Sequence, residues 1–165
     1  MSKKRKTMHK DYVLHPRYWD KPLYSGLSVS VEKLLDAHWS LAGSTFFPET
    51  AIKANIEKQN YSTFPRSYYV DVEKRCAQCN RWFIFFAQEQ KFWFEELGFY
   101  IDAECTKCVD CRKKEQSIKQ LLNLYATLVK TENRSSEQTQ QLKHVALELL
   151  QLGYIKDSRK IDQIS

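Results

Sequence analysis

The stretch that decides the fold runs from residue 76 to residue 111 and reads CAQCNRWFIFFAQEQKFWFEELGFYIDAECTKCVDC. It opens and closes on a pair of cysteines separated by two residues, Cys76/Cys79 and Cys108/Cys111. A structural zinc ion takes four ligands in a tetrahedron, mostly Cys and His, and one such pair supplies two thiolates from a tight turn. Two pairs in one stretch therefore predict one zinc ion bound by these four cysteines.

The fifth cysteine leaves a second ligand set open. Cys105-Thr106-Lys107-Cys108 has the same two-residue spacing, so the pair Cys105/Cys108 competes with Cys108/Cys111. We favour Cys111, because Asp110-Cys111-Arg112 has the sequence of a first helical turn, where a treble clef carries its last ligand. In this assignment Cys105 is a thiol beside the site, and in the other it replaces Cys111.

The residues around the first pair predict a β-hairpin followed by a helix. Residues 68–72 and 81–86 are rich in aromatic and β-branched side chains and are typical of two strands, with the first cysteine pair at the turn between them. Residues 87–97 predict a short helix that Gly98 ends in a left-handed conformation. One ligand pair on a hairpin and the other at the start of a helix favours a treble clef over a zinc ribbon, which carries both pairs on hairpins.

Helices are predicted on both sides of this module, which makes the fold class α+β. Residues 30–62 predict a short helical pair, capped by Ser30 in its first helix and with Pro48 in the first turn of its second, over residues 45–59. Residues 119–155 predict an antiparallel helical hairpin. Ser135 or Ser136 caps its second helix, and Gly153 ends that helix.

The predicted domain organisation follows from these elements. It consists of a basic, largely irregular arm (1–29), the short helical pair (30–62), the zinc-binding treble clef (66–118), the C-terminal helical hairpin (119–155) and a polar tail (156–165).

The charge distribution points to an anionic partner. The chain has 165 residues, 26 of them Lys or Arg and 20 Asp or Glu, for a net charge of +6. Two groups of basic residues stand out: an N-terminal one before the first acidic residue, Asp11, and one directly after the last cysteine. The first consists of Lys3, Lys4, Arg5, Lys6 and Lys10, and the second of Arg112, Lys113 and Lys114. Such clusters are typical of RNA- or DNA-binding proteins, although many soluble domains are mildly basic.

The order of motifs between the cysteine pairs resembles a known family. Cys76-x-x-Cys79, Phe83-Ile84-Phe85, Glu89-Gln90, Phe92-Trp93 and Gly98 lead to Cys108-x-x-Cys111-Arg112. Over residues 70–116 this arrangement resembles the bacterial "probable zinc-ribbon" domain of treble-clef type. The resemblance implies zinc binding and a small treble-clef fold, and it implies no established reaction.

Glu89 and Gln90 allow two interpretations. They either cap the helix or hydrogen-bond to the backbone amides of the cysteine turn, as side chains around a metal site often do. A catalytic carboxylate is the sharper alternative, but no other acid, histidine or nucleophile lies beside them in the sequence.

The sequence leaves three classes of function to compare: a nucleic-acid-binding module, a protein-binding adaptor and an enzyme. A nucleic-acid- or ribonucleoprotein-binding module is favoured, and an adaptor that binds a protein partner is the alternative. We expect no enzyme, because four cysteines close the zinc site and His9, His15, His38 and His144 all lie outside it in the sequence. We also expect no small-molecule substrate, no membrane span and no secretory signal, and hence a reducing, cytoplasmic location in which cysteines serve as metal ligands.

Overall fold

The computed structural model describes residues 10–164. The predicted basic residues Lys3, Lys4, Arg5 and Lys6 and the histidine His9 therefore lie outside the described residues. The chain divides into two compact units, the first ending at Cys111 and the second beginning at Arg112. The finer boundaries predicted from the sequence remain predictions.

The elements are, in order, α1 (Val31–Ala37), β1 (Thr45–Lys53), β2 (Tyr68–Arg75), β3 (Trp82–Phe85), α2 (Ala87–Lys91), α3 (Val109–Lys130), α4 (Ser136–Gln151) and α5 (Arg159–Asp162). Short 3₁₀ turns occupy Trp39–Leu41 and Ile56–Lys58, and α2 continues into a π-helical turn at Phe92–Glu96. The three strands form one antiparallel sheet in the order β1-β2-β3. Helices beside an antiparallel sheet confirm the predicted α+β class.

The predicted helix over residues 45–59 is wrong, because this segment contains the edge strand β1. Its aromatic and β-branched residues favour a strand, and β2 supplies the partner. Pro48, expected in a first helical turn, instead lies where the β1–β2 register shifts between Phe47 and Ile52. Proline has no N–H to donate and is tolerated at such an irregularity of an edge strand.

Thr50 compensates for the hydrogen bonds lost at this bulge. Its buried hydroxyl donates to the Phe47 carbonyl at 2.7 Å and accepts the Asp71 amide at 2.8 Å. The Asp71 carboxylate in turn accepts the amides of Leu23 at 2.8 Å and Ala87 at 2.6 Å. One side chain of β2 thus fixes both the N-terminal segment and the start of α2 against the sheet.

The first unit contains three apolar clusters. One of them joins Val13, Phe83 and Phe85 to the cysteines, a second packs α1 against β1 and β2 through Leu34, and the third surrounds Tyr69 and Phe94. The sheet therefore lies directly beside the cysteines and supports them.

The second unit consists of helices whose signals are local. Ser135 is the N-cap of α4: its hydroxyl accepts the Gln138 amide, and the Gln138 side chain accepts the Ser135 amide. Gly153 follows α4 with φ of 81°. The aliphatic side chains of Leu128, Leu142, Val145 and Leu149 are buried in this unit. No helix among residues 10–164 combines the length and apolar content needed to cross a bilayer.

Candidate metal centre

The first cysteine pair lies at the tip of the β2–β3 hairpin. The Cys76 amide donates to the Arg81 carbonyl, and the Asn80 amide donates to the Cys76 carbonyl, both at 2.9 Å. Asn80 has φ of 62°, a left-handed conformation that asparagine tolerates better than most residues. This tight turn aims the thiols of Cys76 and Cys79 to the same side, as the sequence predicts for a hairpin with the pair at its turn.

The second pair lies at the start of α3. Cys108 directly precedes the helix, and Cys111 is in its first turn. The Ala77 amide donates to the Thr106 carbonyl at 2.9 Å, so the hairpin turn is joined to the loop that leads into the helix. The Cys108 amide also donates to the Cys76 thiol at 3.3 Å. Backbone contacts from two distant segments therefore bring the pairs together.

The four sulfurs have the spacing of a tetrahedral metal site. The thiols of Cys76, Cys79, Cys108 and Cys111 all lie within 4.8 Å of one another. A tetrahedral zinc ion with Zn–S bonds of about 2.3 Å spaces its sulfurs about 3.8 Å apart. The Cys79–Cys108 sulfur distance of 3.7 Å fits that value, and all five cysteines are free of disulfides. The donor set and its spacing thus fit a tetracoordinate thiophilic metal.

Backbone amides favour the thiolate form of one cysteine in the cluster, Cys76. Burial raises the pKa of Cys76, but the amides of Cys79, Cys108 and Gln78 point at its sulfur and bring the pKa down to about 6. Burial and the neighbouring sulfurs raise the pKa of Cys111 to about 12. Repulsion between adjacent thiolates opposes further ionisation, and a divalent cation at their centre would relieve it and release the protons.

Cys105 lies outside the four-thiol group. It is buried, at 1% exposure, in the apolar cluster with Val13, Phe83 and Phe85. Its thiol donates to the Lys107 carbonyl at 3.4 Å. The structure therefore brings together the four cysteines favoured from the sequence. Which cysteines bind the metal stays a prediction, which the substitutions proposed below test.

Comparison with known families agrees with this geometry. Residues 70–120 match the family described as "Probable treble clef domain". The family resemblance seen over residues 70–116 is confirmed. No curated protein and no solved structure matches the chain. We refer to residues 70–120 as the treble-clef domain.

Glu89 and Gln90 are buried side chains of α2, within the treble-clef domain. The Gln90 amide is 2% exposed and donates to the carbonyls of Val70 at 2.7 Å and Phe85 at 2.9 Å. It thus fixes α2 across β2 and β3, and it does not bind the amides of the cysteine turn. Glu89 is buried with its carboxylate 3.5 Å from His15 Nε2.

The basic residues fall into two places. After Cys111, Arg112 is half-buried, while Lys113 and Lys114 are exposed in α3. On the hairpin, Arg75 and Arg81 are exposed, and Arg81 pairs with Asp110 at 3.1 Å. These two arginines were not predicted as site residues, although their position beside the first cysteine pair was a usable signal in the sequence.

The ring of Trp82, next to the hairpin turn, contacts two cations, Lys10 and Arg75. Lys10 Nζ lies 4.1 Å from the centre of the Trp82 ring, and the Arg75 guanidinium carbon lies 5.3 Å from it. Lys10 also pairs with Glu73 at 2.6 Å. A half-buried indole with two cations over its ring forms a basic, aromatic surface on the treble-clef domain.

Proposed function

We propose that the treble-clef domain holds one structural zinc ion on Cys76, Cys79, Cys108 and Cys111, and that it serves as a nucleic-acid- or ribonucleoprotein-binding module, not as an enzyme. The observation that carries the zinc assignment is the set of four thiols within 4.8 Å, presented by a hairpin turn and a helix start. Zinc is the commonest metal for four thiolates in this geometry. We propose the cytoplasm as the location, because thiols stay reduced there.

Four thiolate ligands favour a structural role. A catalytic zinc keeps one position open for water or substrate, whereas four protein ligands close the tetrahedron. Among residues 10–164, the cluster contains no histidine or carboxylate that could exchange for a substrate. We therefore expect the metal to stabilise the fold and to take no part in a reaction.

A nucleic-acid partner is supported by the charges around the zinc site. Lys113 and Lys114 follow the last cysteine on exposed positions, and Arg75 and Lys10 flank Trp82 near the first pair. Cations neutralise phosphates and release their counterions, while the solvent-exposed part of a half-buried aromatic ring contacts unpaired bases. Both features suit a single-stranded partner, and the N-terminal basic residues add to the charge.

The zinc assignment is tested by replacing each cysteine with serine and measuring zinc per protein by native mass spectrometry. We expect one zinc in the wild type and in Cys105→Ser. We expect loss or strong weakening of zinc binding in each of the four proposed ligands. Retention of zinc in Cys111→Ser together with its loss in Cys105→Ser would reverse the ligand assignment.

The partner assignment is tested by titrating labelled single-stranded RNA and DNA at a series of salt concentrations. We expect Lys113→Gln/Lys114→Gln to weaken binding and to lower the slope of log K against log salt by about 0.7 for each lost phosphate contact. Lys143→Gln/Lys160→Gln removes the same charge from α4 and α5 and serves as the control. Equal binding by wild type and the first variant would contradict a role for these lysines.

A protein-binding adaptor is the second candidate, favoured by apolar side chains exposed on the helical unit. Leu147 is 48% exposed on α4, and Val129 is 49% exposed on α3. If the protein captures one defined partner equally well at low and high salt and after nuclease treatment, the adaptor replaces the nucleic-acid proposal.

A further inference from the structure

A second candidate site lies in the first unit, separate from the cysteines. It is an open cavity of about 180 Å³. Its lining combines aromatic rings, three hydroxyls and one carboxylate, contributed by Trp39, Ser62, Thr63, Phe64, Tyr100, Ile101 and Asp102. None of these residues belongs to the metal cluster.

The three aromatic residues are unusually exposed for their size. Trp39 is 58% exposed, Phe64 68% and Tyr100 44%. Tyr100 is positioned by a hydrogen bond of 2.7 Å between its hydroxyl and Ser62, and by a parallel bridge between Asn60 and its own backbone. Aromatic side chains left in solvent at a concave site are typical of ligand-binding surfaces.

The carboxylate in this cavity is held in place by two donors. Asp102 Oδ1 accepts from Trp39 Nε1 at 3.3 Å and lies 3.1 Å from His38 Nε2. His38 is buried, and its Nδ1 accepts the Ser40 amide at 3.2 Å. Because Nδ1 is an acceptor, the proton of the neutral imidazole is on Nε2 and is donated to Asp102. The histidine is therefore a positioning residue for the carboxylate.

No cationic side chain pairs with the Asp102 carboxylate in the described part of the chain. Both donors to Oδ1 are neutral. Burial of His38 lowers the pKa of its imidazole and so disfavours the charged form. Among residues 10–164, no lysine or arginine lies within ion-pair distance of Asp102. Arg66 influences it at longer range, but its guanidinium donates to the Ile101 carbonyl, stacks on Phe94 and does not line the cavity.

We propose that the cavity of Trp39, Phe64, Tyr100 and Asp102 binds an organic cation of ammonium or guanidinium type. Aromatic faces carry a negative electrostatic potential and attract such cations, and a fixed carboxylate adds a full opposite charge. A phosphate or another anion would be repelled by Asp102. The cation is either a side chain presented by a partner protein or a free small molecule, and this assignment stands independently of the nucleic-acid proposal.

The first test separates charge from shape. Choline and its neutral carbon isostere 3,3-dimethylbutan-1-ol are titrated into the zinc-loaded protein, and the indole N–H resonance of Trp39 is followed by NMR. We expect choline to bind about tenfold more tightly than the isostere. N-acetyl-arginine amide and N-acetyl-lysine amide, titrated in parallel, represent a cation presented by a protein. Tighter binding of either amide than of choline identifies a protein side chain as the source, and the reverse identifies a small molecule.

Variants test the named groups. Asp102→Asn retains the shape of the carboxylate and removes its charge, and we expect about tenfold weaker binding. Phe64→Leu retains an apolar group without a ring and should weaken choline more than the isostere. Glu57→Gln makes the same carboxylate-to-amide change at an exposed position outside the cavity and should have no effect.

The proposal is overturned if no cationic probe binds more tightly than the neutral isostere, or if the affinity for the tightest cation is unchanged in Asp102→Asn. Guanosine is included as a further probe, because a nucleobase can also stack on aromatic rings. Tighter binding of guanosine than of every cation would overturn the proposal in favour of a nucleobase site. Zinc content and amide spectra confirm that each variant is folded.

Discussion

The two compact units are stabilised in different ways. The first unit, which ends at Cys111, carries all four cysteines of the metal cluster and buries polar groups such as Asp71 and Gln90. The second unit, from Arg112 onward, has no part in the cluster and consists of α-helices with buried aliphatic positions and a capping box. One depends on contacts between distant segments, and the other depends on signals within single helices.

This difference predicts which part of the chain needs the metal. A structural zinc ion contributes roughly 10–16 kcal/mol in small zinc domains, more than the whole stability of a typical domain. Helix capping and aliphatic burial need no cation. We therefore expect loss of the metal to disrupt the first unit and to leave the helices of the second unit intact.

The largest effect is expected on removing zinc with a strong chelator. The hairpin and the start of α3 should lose their fixed arrangement, because a few backbone hydrogen bonds, a small apolar cluster and one exposed ion pair would be left to hold the two cysteine pairs together. All four tryptophans, Trp19, Trp39, Trp82 and Trp93, lie in the first unit, so tryptophan fluorescence reports on it selectively. Amide NMR signals of α4 report on the second unit.

We expect the tryptophan emission to shift to longer wavelength and amide dispersion to collapse over residues 70–111, while α4 keeps its helical shifts. Restoring zinc should reverse the change. Equal loss in both units would show that the second unit depends on the first. No change in either unit would contradict a structural metal.

The same difference explains what the sequence could predict. The hairpin turn, the helical segment that ends at Gly98 and both long helices of the second unit are signalled by neighbouring residues, and all are present. Cysteine spacing indicated the four thiols that the fold brings together. Each of these signals acts over a few residues, which is the range that sequence patterns describe.

The errors concern contacts across the chain. Residues 45–53 contain Pro48 and a mixed apolar pattern, which suits either a first helical turn or an irregular edge strand. The neighbouring strand β2 decides in favour of the strand, and its position is not encoded near Pro48. The role of Gln90 was missed for the same reason, since its two acceptors belong to β2 and β3. The cavity around Asp102 joins residues from three separate segments.

The next largest effect within the first unit is expected from replacing Gln90. Gln90→Leu is similar in size but leaves the carbonyls of Val70 and Phe85 without its two hydrogen bonds. We expect a loss of roughly 2–4 kcal/mol in the free energy of unfolding, because unsatisfied buried acceptors cost about 1–3 kcal/mol each. Urea unfolding of the zinc-loaded protein, followed by tryptophan fluorescence, measures it.

Gln88→Leu is the matched control, since Gln88 is exposed on the same short helix. Its effect should stay within about 0.5 kcal/mol. If the two variants lose the same stability, the hydrogen bonds of Gln90 are not the cause.

A smaller effect on the free energy of unfolding, one that depends on pH, is expected from Asp71. Burial raises its pKa to about 6 in spite of the amides of Ala87 and Leu23, against 3.8 for the ordinary carboxyl. A raised pKa means that the folded state binds the proton more tightly, so this contribution is present at low pH and is lost as pH rises through about 6. Between pH 5 and 7.5 the loss amounts to roughly 1.4 kcal/mol.

Asp71→Asn isolates this contribution, because the variant lacks the titrating group and shares every other one. The stability of the wild type minus that of the variant should fall with rising pH over this range. Zinc content is measured at each pH, so that loss of metal is not mistaken for titration of Asp71. A difference that stays constant with pH would contradict the raised pKa.

The smallest effect is expected in the second unit, at the cap of α4. Ser135→Ala removes the acceptor of the Gln138 amide and should cost about 1 kcal/mol, whereas Ser136→Ala, one residue inside the helix, should cost almost nothing. Hydrogen exchange of the amides in the first turn of α4 resolves this change, and the tryptophan signal of the first unit should not move. Because the cap acts over three residues, its loss should remain local. An equal effect of Ser136→Ala, or a destabilised first unit, would show that the start of α4 also depends on contacts outside its own helix.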